Sequence, residues 1–455
     1  MDYVRRVKSV SSSGSFDVEL LRYLPTFAYL VNSSIGTPGQ TVYLELDTGS
    51  SDVWAFGADA CSSSSLCVGG QYDPNRSSTA TITAKGAFQI RYVTPGSEVR
   101  GDFVKDDLSL GNATITGLNM AVATYAAGVE NGLMGVGFPA DESNSTKYPN
   151  FVDQMVQQGL AASHSYSVWL DDIYNATGSI LFGGYNSDKY HNELVALPMQ
   201  PNQNGSITEM AVQWTSFSIT DDTNGEGKQL TGPSFNEYAV LDTGTNVVLL
   251  PDELYTELAD LAQVGPDRTV NCELRLANVS FNFGFGGPNG ANISVPLYEF
   301  ILPLFFPNGT WATYPNGTYI CFFGMAPQNG SSILLGQPML RAAYVVYNLD
   351  DKWIAIGATN FKSTTSNVQE IRPHSSLPAG WSSAPNITGS QTATGSPNPG
   401  SSTPAGASTV VSTPAGGSGS VSSAVVSTPA ANSGSAATVT ATPAGGGGGG
   451  TTTVV

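Results

Sequence analysis

Two short stretches of this chain carry the residue types of acid–base chemistry in the same order, Leu46-Asp47-Thr48-Gly49-Ser50 and Leu241-Asp242-Thr243-Gly244-Thr245. Each Asp follows an apolar, strand-like run and precedes a Gly, so its carboxylate sits where a strand ends and the backbone turns sharply. One such turn has a plain structural explanation, an Asp bonded to its own backbone. Two copies in matching contexts allow another: if two similar lobes pack about a pseudo-two-fold axis, the turns meet and the carboxylates face each other. Two carboxylates at hydrogen-bond distance do not both ionise readily, so one keeps a proton. The ionised member is then a general base and the protonated member a general acid. A water held between them would attack a peptide carbonyl while the acid protonates the carbonyl oxygen, with no metal, no cofactor and no covalent intermediate.

The elements that must position these turns are duplicated too. Each copy is followed by an apolar-apolar-Gly element, Leu133-Met134-Gly135 and Leu334-Leu335-Gly336, so order and content repeat together. Residues 1–361 read as all-β and mainly antiparallel, in short alternating stretches such as Thr41–Leu46, Ala87–Val93 and Tyr344–Asn348 separated by Gly, Pro, Asn and Asp. Helical spacing is brief: Phe151, Val152, Met155, Val156 and Leu160 form one packing stripe, and Leu254, Leu258 and Leu261, opened by Pro251, form another. The expected division is a flexible lead-in or pro-segment remnant at 1–25, lobes at 26–195 and 196–361, and a tail at 362–455. That tail turns abruptly to Ser, Thr, Pro, Ala and Gly, which cannot bury enough apolar surface to order itself, and it reads as an O-glycosylated stalk.

Composition narrows the function. The chain has 455 residues, 36 acidic and 18 basic, a net charge of −18, and only 12% charged side chains. No Lys/Arg-rich stripe exists to neutralise phosphates, which excludes nucleic acid as a partner. The three His are far apart and the four Cys form no C-x-x-C pair, so no zinc-type ligand set is expected. Asn-x-Ser/Thr acceptors begin at Asn32, Asn75, Asn112, Asn144, Asn175, Asn204, Asn278, Asn292, Asn308, Asn316, Asn329 and Asn386, pointing to the secretory route. There an even count of four Cys reads as two disulfides: Cys61 and Cys67 would staple a short loop, leaving Cys272 and Cys321 to pair. Met1–Lys8 is polar and basic with no apolar run behind it, so either a signal segment has been lost or removed, which is the expectation, or the acceptors are unused. No apolar run is long enough to span a membrane, and no hydrophobic tail marks a lipid anchor.

The sequence resembles the pepsin-like aspartic proteases from Tyr29 to Ala358. Ile35-Gly-Thr-Pro-Gly-Gln40 with Asp47-Thr-Gly-Ser-Ser-Asp-Val-Trp54 is similar to that family's first-lobe signature, and Val240-Leu-Asp-Thr-Gly-Thr245 to its second. Asn131–Gly137, Gly178–Gly184 and Ile333–Gly336 with Arg341 and Tyr344 add further matches in the family's order. The resemblance implies a bilobal fold with a central cleft, an aspartic endopeptidase acting on peptide or protein substrates in acid, inhibition by pepstatin-type peptides, and a monomer. It implies Asp47 and Asp242 as the dyad, Ser50 and Thr245 hydrogen-bonded to their outer oxygens, and Thr48 and Thr243 cross-linking the turns beneath. It also implies a small disulfide loop Cys61–Cys67, a second-lobe bridge Cys272–Cys321, and, at Arg5-Arg6 and Lys8, the end of an inhibitory pro-segment.

The family's flap Tyr hydrogen-bonds to the Trp after the first Asp motif. Trp54 matches, and the flap candidate is Tyr92 in Phe88–Ser97, although no Gly follows it directly; the alternative is an ordinary core-facing Tyr. Asn246 stands where the family often has Ser. Alternation along Leu44-Glu45-Leu46-Asp47 puts Glu45 on the Asp47 face, turned toward the cleft. Relatives carry a small or apolar residue there, and a Glu points to a preference for Lys or Arg before the cut, as in the yapsin-like fungal branch with Ser/Thr-rich tails. The competing explanation for Glu45 is a carboxylate solvated or hydrogen-bonded at the cleft edge. The rival to catalysis is a non-catalytic member of the fold serving as a cell-wall or binding protein; a glycosidase has no support beyond its own two carboxylates.

Overall fold

The computed structural model describes residues 14–61, 67–92, 96–175, 177–306 and 309–385, with a short antiparallel pair at Val439–Thr440 and Thr453–Val454. The basic residues Arg5, Arg6 and Lys8, and the sequence after residue 385 apart from that pair, lie outside the described residues. Strands dominate, and helices are few and short: Phe151–Gln157, Asp252–Leu261 and Gln337–Leu340. The first of these starts where Asn150 and Asp153 form a reciprocal capping box and buries Phe151, Val152 and Met155. In the second, Leu258 is buried but Leu261 is 59% exposed, because the stripe runs into solvent at the helix's last turn.

Two sheets carry the fold. In the larger, strands Val195–Pro198, Trp353–Ala358 and Ala343–Asn348 lie beside Ser165–Trp169, Thr177–Phe182 and Phe16–Tyr23. The seam between these triplets is the antiparallel pairing of Ala343–Asn348 with Ser165–Trp169, in which Val345 meets Val168. A hairpin plus one added strand stands on each side, so the seam carries the pseudo-two-fold relation expected from the duplicated sequence. The same sheet runs on through Ala28–Ile35, Gln40–Asp47, Gly132–Gly135 and Val53–Phe56 to the long strands Ala113–Ala127, Glu98–Leu110 and Thr81–Arg91. The second sheet, of eight strands, takes the chain from Ala211 to Ile333–Leu335 and contains the other Asp turn.

Two sequence expectations change. Phe16–Tyr23 is no flexible lead-in: it pairs with Thr177–Phe182 and Ala28–Ile35, burying Phe16, Val18 and Leu20. The folded body also continues past residue 361, because Val368–Glu370 pairs with Gly184–Asn186 and Ser382–Ser383 with Val195–Ala196. Backbone pairing needs no apolar side chains, so two strands of only three and two residues left no alternating pattern to read. No helix among the described residues is long and apolar enough to cross a membrane.

Candidate active site

Each Asp turn is held by the same three-strand device. Gln40–Asp47 runs parallel to Gly132–Gly135, with Asp47 opposite Gly135, and the returning strand Val53–Phe56 pairs antiparallel on the other side of that short strand. In the second lobe Glu237–Leu241 runs parallel to Ile333–Leu335, and Val248–Leu250 returns antiparallel. The apolar-apolar-Gly elements are therefore the middle strands, clamped between the two limbs of each turn. Their glycines have a steric reason: a Cβ on Gly135 would stand 2.7 Å from the Asp52 carbonyl oxygen, and one on Gly336 2.1 Å from the Val247 carbonyl oxygen.

At the meeting of the turns, Asp47 and Asp242 are hydrogen-bonded to each other and wholly buried. Gly49 N–H donates to Asp47 Oδ1 at 2.9 Å, and Gly244 N–H to Asp242 Oδ1 at 2.8 Å. Ser50 Oγ donates to Asp47 Oδ2 and Thr245 Oγ1 to Asp242 Oδ2, both at 2.5 Å. Beneath them Thr48 Oγ1 donates to the Leu241 carbonyl and Thr243 Oγ1 to the Leu46 carbonyl, both at 2.8 Å. The glycines allow the carboxyls to meet: a Cβ on Gly49 would come within 2.6 Å of Asp242 Oδ1, and one on Gly244 within 2.5 Å of Asp47 Oδ1.

Burial pushes both carboxyls above their ordinary range. On Asp47 this is opposed by the Ser50 hydroxyl, by the hydrogen bond with Asp242 and by the Gly49 and Ser50 amides. Asp242 is pushed well up, because the Asp47 charge adds to burial. Two adjacent carboxyls do not both ionise readily, so one proton is shared by the pair.

Trp54 is fully buried and its Nε1–H donates to the Tyr92 hydroxyl at 3.1 Å. Tyr92 ends the strand Thr81–Arg91, and its N–H donates to the Ser97 carbonyl at 3.0 Å, closing toward the antiparallel partner Glu98–Leu110. Its hydroxyl pKa is raised well above the ordinary value by burial and by the Asp47 charge. Glu45 shares the Asp47 face as alternation requires, but it is 1% exposed, so alternation identified its side and not its depth. Burial and the Asp47 charge hold its carboxyl well up, toward the neutral form, and Asn131 Nδ2 donates to Oε2 at 3.4 Å. Cys61–Cys67 and Cys272–Cys321 are the two disulfides.

Several supporting contacts escaped the sequence reading, which noted Asn246 only as a departure from the family's Ser and gave it no role. Gln337 Nε2 donates to the Thr243 carbonyl at 2.9 Å, and Asn246 Nδ2 to the Thr26 carbonyl at 3.2 Å, both buried. The Tyr347 hydroxyl reaches the Leu241 carbonyl at 3.5 Å, from the strand that forms the inter-lobe seam. Asp52 accepts from Ser143 N–H and the Tyr148 hydroxyl, both at 2.7 Å, behind the first turn. A polar residue immediately after an apolar-apolar-Gly element was the available signal for Gln337; the other contacts join distant segments and leave no local mark.

A family model described as eukaryotic aspartyl protease matches residues 28–359. The chain is 35% identical over 357 residues to the probable aspartic-type endopeptidase opsB of Aspergillus fumigatus, covering 75% of this chain and 71% of that protein. It is 32% identical over 368 residues to the secreted aspartic protease 8 of Candida albicans, covering 78% and 80% respectively. The crystal structure of the aspartic proteinase from Irpex lacteus superposes with a TM-score of 0.60 at 21% identity, over 78% of this chain and 100% of that one. That likeness shows the bilobal pepsin-like fold alone, whereas the family model spans both Asp turns. The chain belongs to the eukaryotic aspartyl protease family and is a pepsin-like aspartic endopeptidase of the fungal kind.

Proposed function

We propose that this endopeptidase cleaves internal peptide bonds in acid through a water activated between Asp47 and Asp242. The observation that carries the reading is the mutual burial of two hydrogen-bonded carboxyls inside a symmetric set of donors. Asp47 takes a proton from the water as its oxygen bonds to the scissile carbonyl carbon, and Asp242 gives its proton to the carbonyl oxygen. The resulting gem-diol collapses: the C–N bond breaks, Asp47 passes its proton to the departing amine, and a diol hydroxyl returns a proton to Asp242. Ser50 and Thr245 fix the outer oxygens, and Tyr92, braced by Trp54, closes over the bound peptide. The two lobes would each supply one turn, so a monomer suffices and pepstatin-type peptides would occupy the cleft.

Secretion is part of the same reading. Both disulfides are formed, and the acceptor residues Asn32, Asn75, Asn112, Asn204, Asn278, Asn292, Asn316 and Asn329 are exposed. The Ser/Thr-rich sequence beyond the folded body would hold the enzyme at the cell wall. Digestion of a denatured protein in acid, with pepstatin as inhibitor, tests the activity; no cleavage by the folded, processed protein would favour a binding role.

We also propose that Glu45 gives a preference for Lys or Arg before the cut. In support, its carboxyl lies within electrostatic reach of both Asp47 and Asp242. A substrate cation entering beside it would favour its ionised form and replace the weak Asn131 contact. Glu45→Gln should lower the ratio of kcat/KM for a Lys over a Leu peptide by about tenfold; an unchanged ratio rejects this preference.

A further inference from the structure

Two of the Asn-x-Ser/Thr acceptors lie in a second internal repeat, Phe306-Pro307-Asn308-Gly309-Thr310-Trp311 and Tyr314-Pro315-Asn316-Gly317-Thr318-Tyr319. In both, an aromatic ring stands two positions before the Asn and a Thr two positions after; no other acceptor in the chain has an aromatic two positions before it.

The described residues of the two copies also make the same hydrogen bonds. Tyr314 N–H donates to the Thr318 carbonyl and Gly317 N–H to the Tyr314 carbonyl, both at 2.8 Å, and Phe306, Thr310 and Gly309 repeat both bonds at 2.8 Å. Gly317 and Gly309 hold φ of +85° and +81°, a conformation that favours glycine over any side chain. Tyr314 and Thr318 thus face each other across the turn and flank Asn316. Asn316 Oδ1 accepts from Thr318 N–H at 3.0 Å, and its Nδ2, the atom a glycan would be joined to, is exposed and has no partner among the described residues.

The rings here stand in water. Tyr314 is 38% and Tyr319 50% exposed, and Tyr319 is stacked on Trp311 with ring centroids 4.2 Å apart. A pyranose has an apolar C–H face that packs on an aromatic ring, and an N-acetylglucosamine on Asn316 would start two residues along the chain from Tyr314. Asn175 is the counter-example: it is half-buried and its Nδ2 donates to Asp171 Oδ2 at 2.5 Å.

We propose that Asn316 carries an N-linked glycan whose first N-acetylglucosamine packs on Tyr314, covering an aromatic face of the second-lobe hairpin that is otherwise left in water. Asn308 lies outside the described residues and is not part of the site. This inference rests on the secretory reading above. The amide nitrogen of Asn316 bonds to C1 of the sugar as the C1–oxygen bond to a lipid-linked pyrophosphate donor breaks; the lipid pyrophosphate departs and the amide gives up one proton.

The test is glycopeptide mass spectrometry of the full chain secreted from a eukaryotic host, comparing Asn316, Asn204 and Asn175, followed by melting before and after enzymatic glycan removal. Asn316 should be occupied and Asn175 empty, and Tyr314→Ser should lower Asn316 occupancy by about twofold or more. Glycan removal should lower the melting temperature more in the wild type than in Tyr314→Ser; should Tyr314→Ser fail to fold, Asn316→Gln should melt below the glycosylated wild type. An unmodified Asn316 beside an occupied Asn204 overturns the proposal, as does an equal melting shift in wild type and Tyr314→Ser. If no acceptor is modified and nothing is secreted, the secretory reading fails and the site falls with it.

Discussion

Thr48 and Thr243 are hydrogen-bond partners twice over: the Thr48 N–H donates to Thr243 Oγ1 at 3.1 Å and the Thr243 N–H to Thr48 Oγ1 at 3.0 Å. Each hydroxyl donates its own hydrogen bond to the carbonyl of the residue just before the opposite Asp. The arrangement joins residues 195 apart in sequence, so it fixes one lobe against the other as well as one carboxyl against its partner. Thr243→Ala leaves the buried Thr48 N–H and Leu46 carbonyl without a partner, and should cost about 2 kcal/mol of stability. Thr243→Ser, which keeps the hydroxyl, should recover most of it, as read by denaturant unfolding.

The contact between Tyr92 and Trp54 makes a separate prediction about turnover. Tyr92→Phe keeps the ring but removes the acceptor for Trp54 Nε1–H, whose removal leaves a buried donor unpaired. We expect kcat/KM on peptides to fall about tenfold with a stability change of about 1–2 kcal/mol. If the residue is merely a core Tyr, stability falls and kcat/KM per folded enzyme does not.

Glycine at the dyad turns is equally testable. Gly244→Ala places a methyl 2.5 Å from Asp47 Oδ1, so the carboxyls must separate. Activity should be abolished and the binding of pepstatin-type peptides weakened, as read by calorimetry.

Stability should decline from acid to neutral pH, and the sign follows from two groups. Burial and the neighbouring Asp52 push the Glu142 carboxyl up to about 8 from 4.5, partly offset by the Tyr148 N–H. Folded protein therefore binds this proton more tightly than unfolded chain; its stabilising effect is complete below about 4.5 and is lost as pH rises through about 8. His164, hydrogen-bonded to Asp350 and raised above 6.5, acts in the same direction: its contribution is complete below 6.5 and lost above it. Glu142→Gln should leave the melting temperature nearly unchanged in acid and raise it near pH 8.

The chemistry was legible because its geometry demands rare residues: a turning strand needs Gly, a buried carboxyl needs hydroxyl donors, and duplication brought each to view twice. Glu45 shows the limit of periodicity, which gives a face and says nothing of how deeply later segments bury it. Gln337, Asn131 and Tyr347 reach the site from elements 86 to 106 residues away, and such pairings arise only on folding. The strands Val368–Glu370 and Ser382–Ser383 were hidden because each is too short to show alternation, and the apolar groups that dock them, Ile371, Trp381 and Ala384, lie just outside their bounds.

The most direct test of the dyad is a comparison of Asp47→Asn and Asp242→Asn with the wild type in digestion of a denatured protein across acid and neutral pH. Peptide fragments would be read by mass spectrometry and folding by circular dichroism. The proposed mechanism predicts that both variants fold, that neither cleaves, and that wild-type cleavage in acid is abolished by pepstatin. Persistent pepstatin-insensitive cleavage by either folded variant would contradict it.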